Sequence, residues 1–393
     1  MLPQLAQDLG HSLGEVAYVI TSFSIAYGLF QLLHGPMGDY AGKLRWIRFA
    51  TWVAALASAA CMLAASLHQL LALRFFAGAA CAALIPLSLA WIGDAVPYQA
   101  RQVVLARFMT GSTAGAVFGQ VAGGVMADTL GWRWSFALPA LVLLWVALML
   151  SWEARKSLAT ATLHKTPALP ESTQDVSRGQ HISAPTDRKR PSLRTILREF
   201  ELVLSLSWAR VILGVVFLEG LLAYAAFAYV PSWLHLQFQM PLWQAGLAAA
   251  GFGLGGVIYS LLARYLIAYL GERGLVVTGA GLFALGLIGI GGTIWLKELS
   301  CCLLMGLGFF MVHNTLQVQA TQMSPDARGT AIAAFAVGLF SGQSIGVALG
   351  APIMGHLGFA WLQVGSACLF FLLGSLTAYL LDRRQGVSQR RRP

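Results

Sequence analysis

One acidic residue inside an apolar stretch is the first candidate for chemistry. Glu219 lies about 11 residues into the apolar stretch 208–231, which places it about 16 Å deep if the stretch is a membrane-spanning helix. A charge at that depth costs about 2.5–3.5 kcal/mol on insertion scales, and burial favours the neutral form of a carboxyl group. Glu219 could therefore exchange protons or bind a cationic molecule. The alternative is a permanently protonated carboxyl group that is hydrogen-bonded to a neighbouring helix.

Other polar side chains in apolar stretches are candidates for a proton pathway or a substrate cavity. Arg74 lies about four residues inside the stretch 70–96, so its side chain could extend to the membrane surface. His313 and Gln317 are four residues apart and share one helix face. The residues expected to line a substrate cavity are Phe23, Tyr27, Gln31, His313, Asn314, Gln317 and Gln343. Helix–helix hydrogen bonds explain the polar members equally well, and core or lipid-facing packing is the leading alternative for the aromatic ones.

The elements that carry these residues are predicted to be membrane-spanning helices. The 393 residues are 57% hydrophobic and 11% charged, whereas soluble domains carry about 25% charged residues. Eleven apolar stretches are each long enough to cross about 30 Å of hydrocarbon as a helix. They span residues 15–34, 47–66, 70–96, 103–127, 135–152, 208–231, 243–263, 275–296, 299–320, 329–354 and 361–381. The five cysteines all lie in such stretches without metal-binding spacing, so neither a metal site nor a cofactor is expected.

The distribution of lysine and arginine predicts the orientation of the helices. If the C-terminus is cytoplasmic and the stretches alternate, cytoplasmic segments hold 23 of the 26 basic residues and outer segments hold two. This orientation is favoured, because cytoplasmic segments of membrane proteins are enriched in Lys and Arg. It also accounts for the net charge of +10 without a nucleic-acid partner. The same alternation places the N-terminus outside.

A long polar stretch divides the chain into two bundles. Residues 153–200 contain four prolines and many polar residues, as is typical of a flexible linker. We expect an N-terminal helix bundle over residues 1–152, this cytoplasmic linker, a C-terminal six-helix bundle over 201–383 and a basic cytoplasmic tail over 384–393. Residues 194–207 could form an amphipathic helix along the membrane surface.

An internal repeat indicates that the two bundles are related. When the chain is shifted against itself by 227 residues, 11 of 35 positions are identical between the regions that begin at Ala100 and Ala327. Both copies carry glycines at every fourth position, which clear a stripe on a helix so that a neighbouring helix can approach closely. The glycines expected to pack helices are Gly115, Gly119, Gly123 and Gly124 in the first copy and Gly342, Gly346 and Gly350 in the second. Two related halves around a central path are typical of secondary transporters.

The segment after the first apolar stretch combines glycines with charged residues. It reads Gly35-Pro-Met-Gly-Asp39-Tyr-Ala-Gly42-Lys43-Leu-Arg45, which resembles the signature G-x-x-x-D-x-x-G-[RK]-x-[RK] of the loop between the second and third helices of the major facilitator superfamily. There the loop acts as a cytoplasmic latch. The resemblance implies that Asp39 meets the start of the 329–354 helix and that Lys43 or Arg45 pairs with Asp94. The latch residues are expected to be Gly35, Asp39, Gly42, Lys43, Arg45, Asp94, Arg101 and Arg328.

Two shorter segments resemble motifs of the same family. Arg74-Phe-Phe-Ala-Gly78 is similar to the R-x-x-x-G of its fourth helix. Because the equivalent arginine of that family is linked to proton movement, the resemblance implies that Arg74 takes part in proton coupling. The segment from Gly115 to Gly124 is similar to the fifth-helix motif of antiporters, with Gln120 in place of the proline. The loop at 268–273, which corresponds to the latch in the second half, lacks the acid, so a second latch is not expected.

The resemblance implies an all-α membrane protein with the major facilitator fold, two pseudo-symmetric helix bundles and 11 transmembrane helices in this chain, five and six. The segment 2–10 looks like the outer end of helix one of the family and the loop after it, so helix one itself is expected to be missing. The expected reason is a wrongly placed start codon or a truncated chain.

The implied function is proton-coupled export of drugs or metabolites by alternating access. The expected partners are a small-molecule substrate, protons and the lipid bilayer, for a monomer in the bacterial inner membrane. One alternative is a proton symporter that takes up sugars or organic acids, and another is a non-transporting sensor or scaffold built on a transporter fold. The sequence contains neither HExxH nor a phosphate-binding loop, and an enzyme is not expected.

Overall fold

The computed structural model describes residues 1–163, 193–324 and 328–390, and in these ranges the chain forms helices and no strand. The helices are α1 (Leu2–Leu9), α2 (Leu13–Ala41), α3 (Lys43–Met62), α4 (Leu67–Cys81), α5 (Leu84–Ala95), α6 (Tyr98–Leu130), α7 (Trp134–Leu163), α8 (Leu193–Ser205), α9 (Ser207–Phe227), α10 (Val230–Phe238), α11 (Leu242–Gly289), α12 (Trp295–Met323), α13 (Arg328–Leu357) and α14 (Phe359–Arg390). The expected all-α membrane architecture is confirmed.

Eight helical segments of the described ranges are long and apolar enough to cross a membrane. One of them, α11, contains Gly271 with a φ of 63°, so two helical parts meet at a non-helical residue. The stretch expected at 70–96 forms α4 and α5, which are separated at Ala82 and Ala83. Because α3 and α6 are not among the eight segments, the number of 11 spans stays a prediction.

Two glycines reverse the chain between helices of the first half. Gly42 (φ 90°) separates α2 from α3, and Gly131 (φ 93°) follows α6. Left-handed backbone is accessible to glycine but costs other residues about 1–2 kcal/mol. We call the end of the bundle at which α2 meets α3 the Gly42 side, and the opposite end, at which α6 meets α7, the Gly131 side.

The helices form two halves, α1–α7 and α9–α14. The halves meet mainly through two helix pairs, α2 with α13 and α6 with α11. A Cβ atom built on Gly14 would lie 3.0 Å from Cβ of Ala351, and one built on Gly246 would lie 2.7 Å from the carbonyl oxygen of Gln120. These close approaches hold the halves together toward the Gly131 side.

Toward the Gly42 side, a cavity of about 800 Å³ lies between the end of α2 and the start of α13. Its walls include Gln31 and Asp39 from α2, Glu199 from α8 and Thr330 from α13. Among the described residues, these close approaches between the halves therefore lie toward the Gly131 side, and the cavity lies toward the Gly42 side.

Candidate functional site

The second half contains a buried pair of an acid and an imidazole. Glu219 of α9 is fully buried, and its Oε2 lies 3.1 Å from Nδ1 of His313 on α12. The His313 side chain is 14% exposed. Its ring stacks on Phe309 and also contacts Phe335, at centroid distances of 5.4 and 5.3 Å. The pair can hold a proton on either group, because an imidazole and a carboxyl group each act as donor or acceptor according to their protonation state.

The second carboxyl oxygen of Glu219 has no hydrogen-bond partner in the described part of the chain. Among the described residues, Glu219 Oε1 and Glu298 Oε1 are both buried without such a partner. Glu298 is equally buried, but its Oε2 accepts a hydrogen bond from the Gly291 N–H at 3.0 Å and its Oε1 lies 3.4 Å from Lys297 Nζ. Buried polar atoms without partners are rare, so Glu219 Oε1 is a candidate position for a proton.

Three of the seven expected substrate-cavity residues lie along the interface of α2 and α13. The Tyr27 ring contacts Phe340 at 4.6 Å, and Gln343 Nε2 donates to Ser24 Oγ at 3.3 Å. Phe23 stacks with Tyr27 at 6.0 Å on the same face of α2.

Three further cavity candidates are spread over two helices. Gln31 lines the cavity on the Gly42 side. Asn314 Nδ2 donates to the Phe310 carbonyl of its own helix at 3.0 Å, and Gln317 is exposed. The structure thus brings Glu219 and His313 together but does not gather the whole set around one point. Their role in binding substrate stays a prediction.

Arg74 lies inside the first half. Its guanidinium group stacks over Phe23 at 4.1 Å and its Nε lies 3.5 Å from the Val19 carbonyl oxygen. None of the ion pairs among the described residues includes Arg74. The side chain therefore faces α2 instead of extending to the membrane surface.

The loop that resembles the latch forms a cluster of charges on the Gly42 side. Lys43 Nζ lies 2.5 Å from Asp94 and 3.6 Å from Asp39. Lys43 thus makes the pairing with Asp94 that the resemblance implies. The 800 Å³ cavity lies between Asp39 and the start of α13, where Thr330 Oγ1 donates to Glu199 of α8 at 2.6 Å.

The other expected latch residues have different surroundings. Arg101 Nη2 donates to the carbonyl oxygens of Gly93 and Val96, at 2.5 and 3.3 Å, and so ties α6 to the end of α5. Arg45 is exposed, and the side chain of Arg328 lies outside the described residues. A Cβ atom on Gly35 would meet open space.

In the segment that resembles the latch, the glycine in close contact with another helix is Gly38, which the sequence did not indicate. A Cβ atom on Gly38 would lie 2.6 Å from Leu87 Cδ2. The segment expected to be a loop is helical up to Ala41, so Gly38, directly before Asp39, packs the end of α2 against α5, and Gly42 turns the chain.

The second half has a polar cluster at the same end of the fold, which the sequence interpretation missed. Gln319 Nε2 donates to Glu272 at 3.1 Å, and Arg384 donates to Gln319 Oε1 at 3.1 Å. Glu272 follows Gly271, just as Lys43 follows Gly42, but the charge has the opposite sign. The latch signature has its acid before the glycine, whereas Glu272 follows Gly271, so the signature does not indicate this cluster.

The two glycine stripes have different environments. In the second half, Cβ atoms on Gly342 and Gly346 would overlap the carbonyl oxygens of Phe217 and Leu221, so α13 packs directly on the backbone of α9. In the first half, Cβ atoms on Gly115, Gly119 and Gly123 would meet nothing within 4 Å.

The exception in the first half is Gly124, whose Cβ would lie 2.6 Å from the Leu242 carbonyl oxygen of α11. The described residues of the first half contain no counterpart of α9 along the open stripe of α6. The expectation of a further apolar helix in that half stays a prediction.

Comparisons with known proteins point to one large group of membrane transporters. The sequence profile of the Major Facilitator Superfamily matches residues 1–347. The chain is 29% identical over 164 residues to the multidrug export protein EmrB of Haemophilus influenzae, covering 42% of this chain and 32% of that protein. It is 31% identical over 135 residues to EmrB of Escherichia coli K12, covering 34% and 26%. The chain thus spans about a third or less of these relatives.

A longer alignment and the solved structures agree with this result. The MFS-type transporter hepF of Aspergillus oryzae is 23% identical over 396 residues, which cover 93% of this chain and 79% of that protein. The nucleoside transporter NupG superposes with a TM-score of 0.69 at 12% identity, covering 96% of this chain and 93% of that one. An autoinhibited peptide transporter of the POT family has the same TM-score at 18% identity, covering 98% and 93%.

Proposed function

The chain belongs to the Major Facilitator Superfamily, and on this premise we propose that it is a proton-coupled transporter that exports small molecules by alternating access. The observation that carries the proposal is the buried pair of Glu219 and His313. His313 is partly exposed and Glu219 is not, so protons reach the carboxyl group through the imidazole. A group that binds and releases a proton inside the second half can bias the two conformations of the transporter, because the charged and neutral forms differ in their cost of burial.

Alternating access fits the contacts between the halves. The α2–α13 and α6–α11 pairs touch toward the Gly131 side and the cavity separates α2 from α13 toward the Gly42 side. We propose that the Gly42 side is cytoplasmic, as the distribution of basic residues favours. The described conformation then opens to the cytoplasm of a bacterial cell, and the opposite one requires the Gly42 side to close through the Asp39 loop.

Export is proposed over uptake because two bacterial relatives are named multidrug export proteins. The substrate is a small molecule whose class the fold alone does not specify. The direction is testable in everted inner-membrane vesicles with an acidic lumen, to which a panel of drug-like compounds is added. An exporter should release luminal protons when its substrate enters, whereas a symporter should not.

The decisive variant in this assay is Glu219→Gln, which keeps the shape of the side chain and removes the titratable group. We expect substrate-dependent proton release to be lost while folding is retained. Glu298→Gln is the matched control, since this second acid is equally buried but is bound to the Gly291 N–H and to Lys297. Its proton release should remain. Unchanged coupling in Glu219→Gln would remove the pair from the mechanism.

A further inference from the structure

The two halves are joined on the Gly131 side by an acid that neither the sequence motifs nor the proposed function uses. Asp128 lies near the end of α6, and its Oδ2 accepts a hydrogen bond from the backbone N–H of Trp243 at 2.6 Å. Trp243 is the second residue of α11. The bond therefore connects a helix end of the first half to a helix start of the second half.

The start of α11 needs an acceptor from elsewhere. The first N–H groups of a helix have no partner within the helix and are usually bound by the side chain of the N-cap residue. In α11 the N-cap residue is Pro241, which supplies no such side chain. The carboxylate of Asp128 takes this place, where the partial positive charge of the helix N-terminus also favours an anion.

The position of Asp128 is not explained by its own helix. It is two residues from the end of α6, where the helix dipole disfavours an anion. The N-terminal ammonium group of Met1 also attracts Asp128. Met1 belongs to the same half, so this attraction cannot hold the halves together.

The segment around Asp128 has the same arrangement as the latch loop on the other side. Asp39 and Asp128 each stand three residues before a glycine of positive φ, at Gly42 and Gly131. The cation that follows each glycine binds an acid of the first half. Lys43 pairs with Asp94, and on the Gly131 side Arg133 Nη1 lies 3.5 Å from Asp8, which also accepts from Trp132 Nε1 at 2.8 Å.

From this geometry we propose that Asp128 is a latch for the Gly131 side, which stabilises the conformation open on the Gly42 side. The proposal rests on alternating access as the proposed function. The acid is exposed and makes one cap bond to α11, so the contact is weak enough to break in each cycle. Opening of the Gly131 side must pull α11 away from Asp128. A cap of this kind changes the ratio of the two conformations about 2- to 30-fold.

Hydrogen–deuterium exchange of the full chain in lipid nanodiscs tests the proposal without substrate or a proton gradient. In Asp128→Ala, amide exchange at the start of α11 should increase, and exchange in the segments 35–43 and 329–335 should decrease because the Gly42 side closes more often. Asp128→Asn should show a smaller change, since its side-chain oxygen still accepts the bond but carries no charge. Thr129→Ala is the matched control, because the Thr129 hydroxyl donates to the Val125 carbonyl of its own helix, and exchange should be unchanged.

Amide exchange in the segments 35–43 and 329–335, far from Asp128, distinguishes a latch from a cap that acts only on the start of α11. If Asp128→Ala increases exchange at the start of α11 but leaves 35–43 and 329–335 unchanged, the latch proposal is overturned. A failure of proton coupling in vesicles would not alter this measurement. The two proposals can therefore fail independently.

Discussion

The two glycine stripes provide a matched pair of substitutions, Gly350→Ala and Gly123→Ala, whose effects on stability should differ in sign. The two positions correspond in the internal repeat, 227 residues apart. A Cβ atom on Gly350 would lie 2.5 Å from the Ala225 carbonyl oxygen and 3.0 Å from Tyr229 Cε2, whereas one on Gly123 would meet nothing within 4 Å.

The size of the effect follows from these distances. A carbon–oxygen contact needs about 3.3 Å, so α9 and α13 must separate locally by about 0.8 Å to accept Ala at position 350. Overpacking of this kind typically costs about 1–3 kcal/mol. Replacing glycine by alanine in a helix contributes about 0.5–1 kcal/mol of stability at both positions. Gly123→Ala should therefore be slightly stabilising, and the free energies of unfolding of the two variants should differ by about 1–3 kcal/mol.

The measurement is the apparent melting temperature of the purified 393-residue protein in nanodiscs, followed by tryptophan fluorescence. Because membrane proteins often unfold irreversibly, all variants must be heated at one scan rate. A difference of several degrees is expected, since 1 kcal/mol corresponds to about 2–4 °C in domains of 150–250 residues.

An equal loss of melting temperature in both variants would refute the reasoning. It would mean that the α6 stripe is as tightly packed in the bilayer as the α13 stripe. A destabilising effect of Gly123→Ala alone would contradict it even more directly, because the two environments would then be reversed.

Two further predictions concern the latch loop. Gly42→Ala should lower the free energy of unfolding by about 1–2 kcal/mol, because alanine is strained at a φ of 90°; Gly35→Ala, at a site open to a Cβ, is its control in the same melting assay. Asp94→Asn should cost less than about 1 kcal/mol, because Asp94 is 65% exposed in its pair with Lys43. That loss should shrink further when melting is repeated at high salt, and a salt-independent loss would contradict an ion-pair origin.

The sequence by itself determined the membrane-spanning class, the two related halves and the family. These properties depend on local patterns: the length of apolar stretches reflects the thickness of the bilayer, and the glycine spacing reflects the pitch of a helix. The pairing of Lys43 with Asp94 was also available, because the resemblance supplied a contact between helices that no local pattern contains. The role of Glu219 was a hypothesis from its depth alone, and its partner was not identified.

Only the tertiary structure decided which residues meet across helices. Glu219 and His313 are 94 residues apart and were assigned to different roles until the packing of α9 and α12 brought them within 3.1 Å. The glycine stripes share one sequence pattern, yet Gly342, Gly346 and Gly350 face the backbone of α9, whereas Gly115, Gly119 and Gly123 have no atom within 4 Å of a Cβ position. Asp128 caps a helix of the other half because the start of α11, which has no side-chain cap of its own, lies beside it. Such pairings depend on how separate helices are placed in space, and spacing along one helix carries no information about that placement.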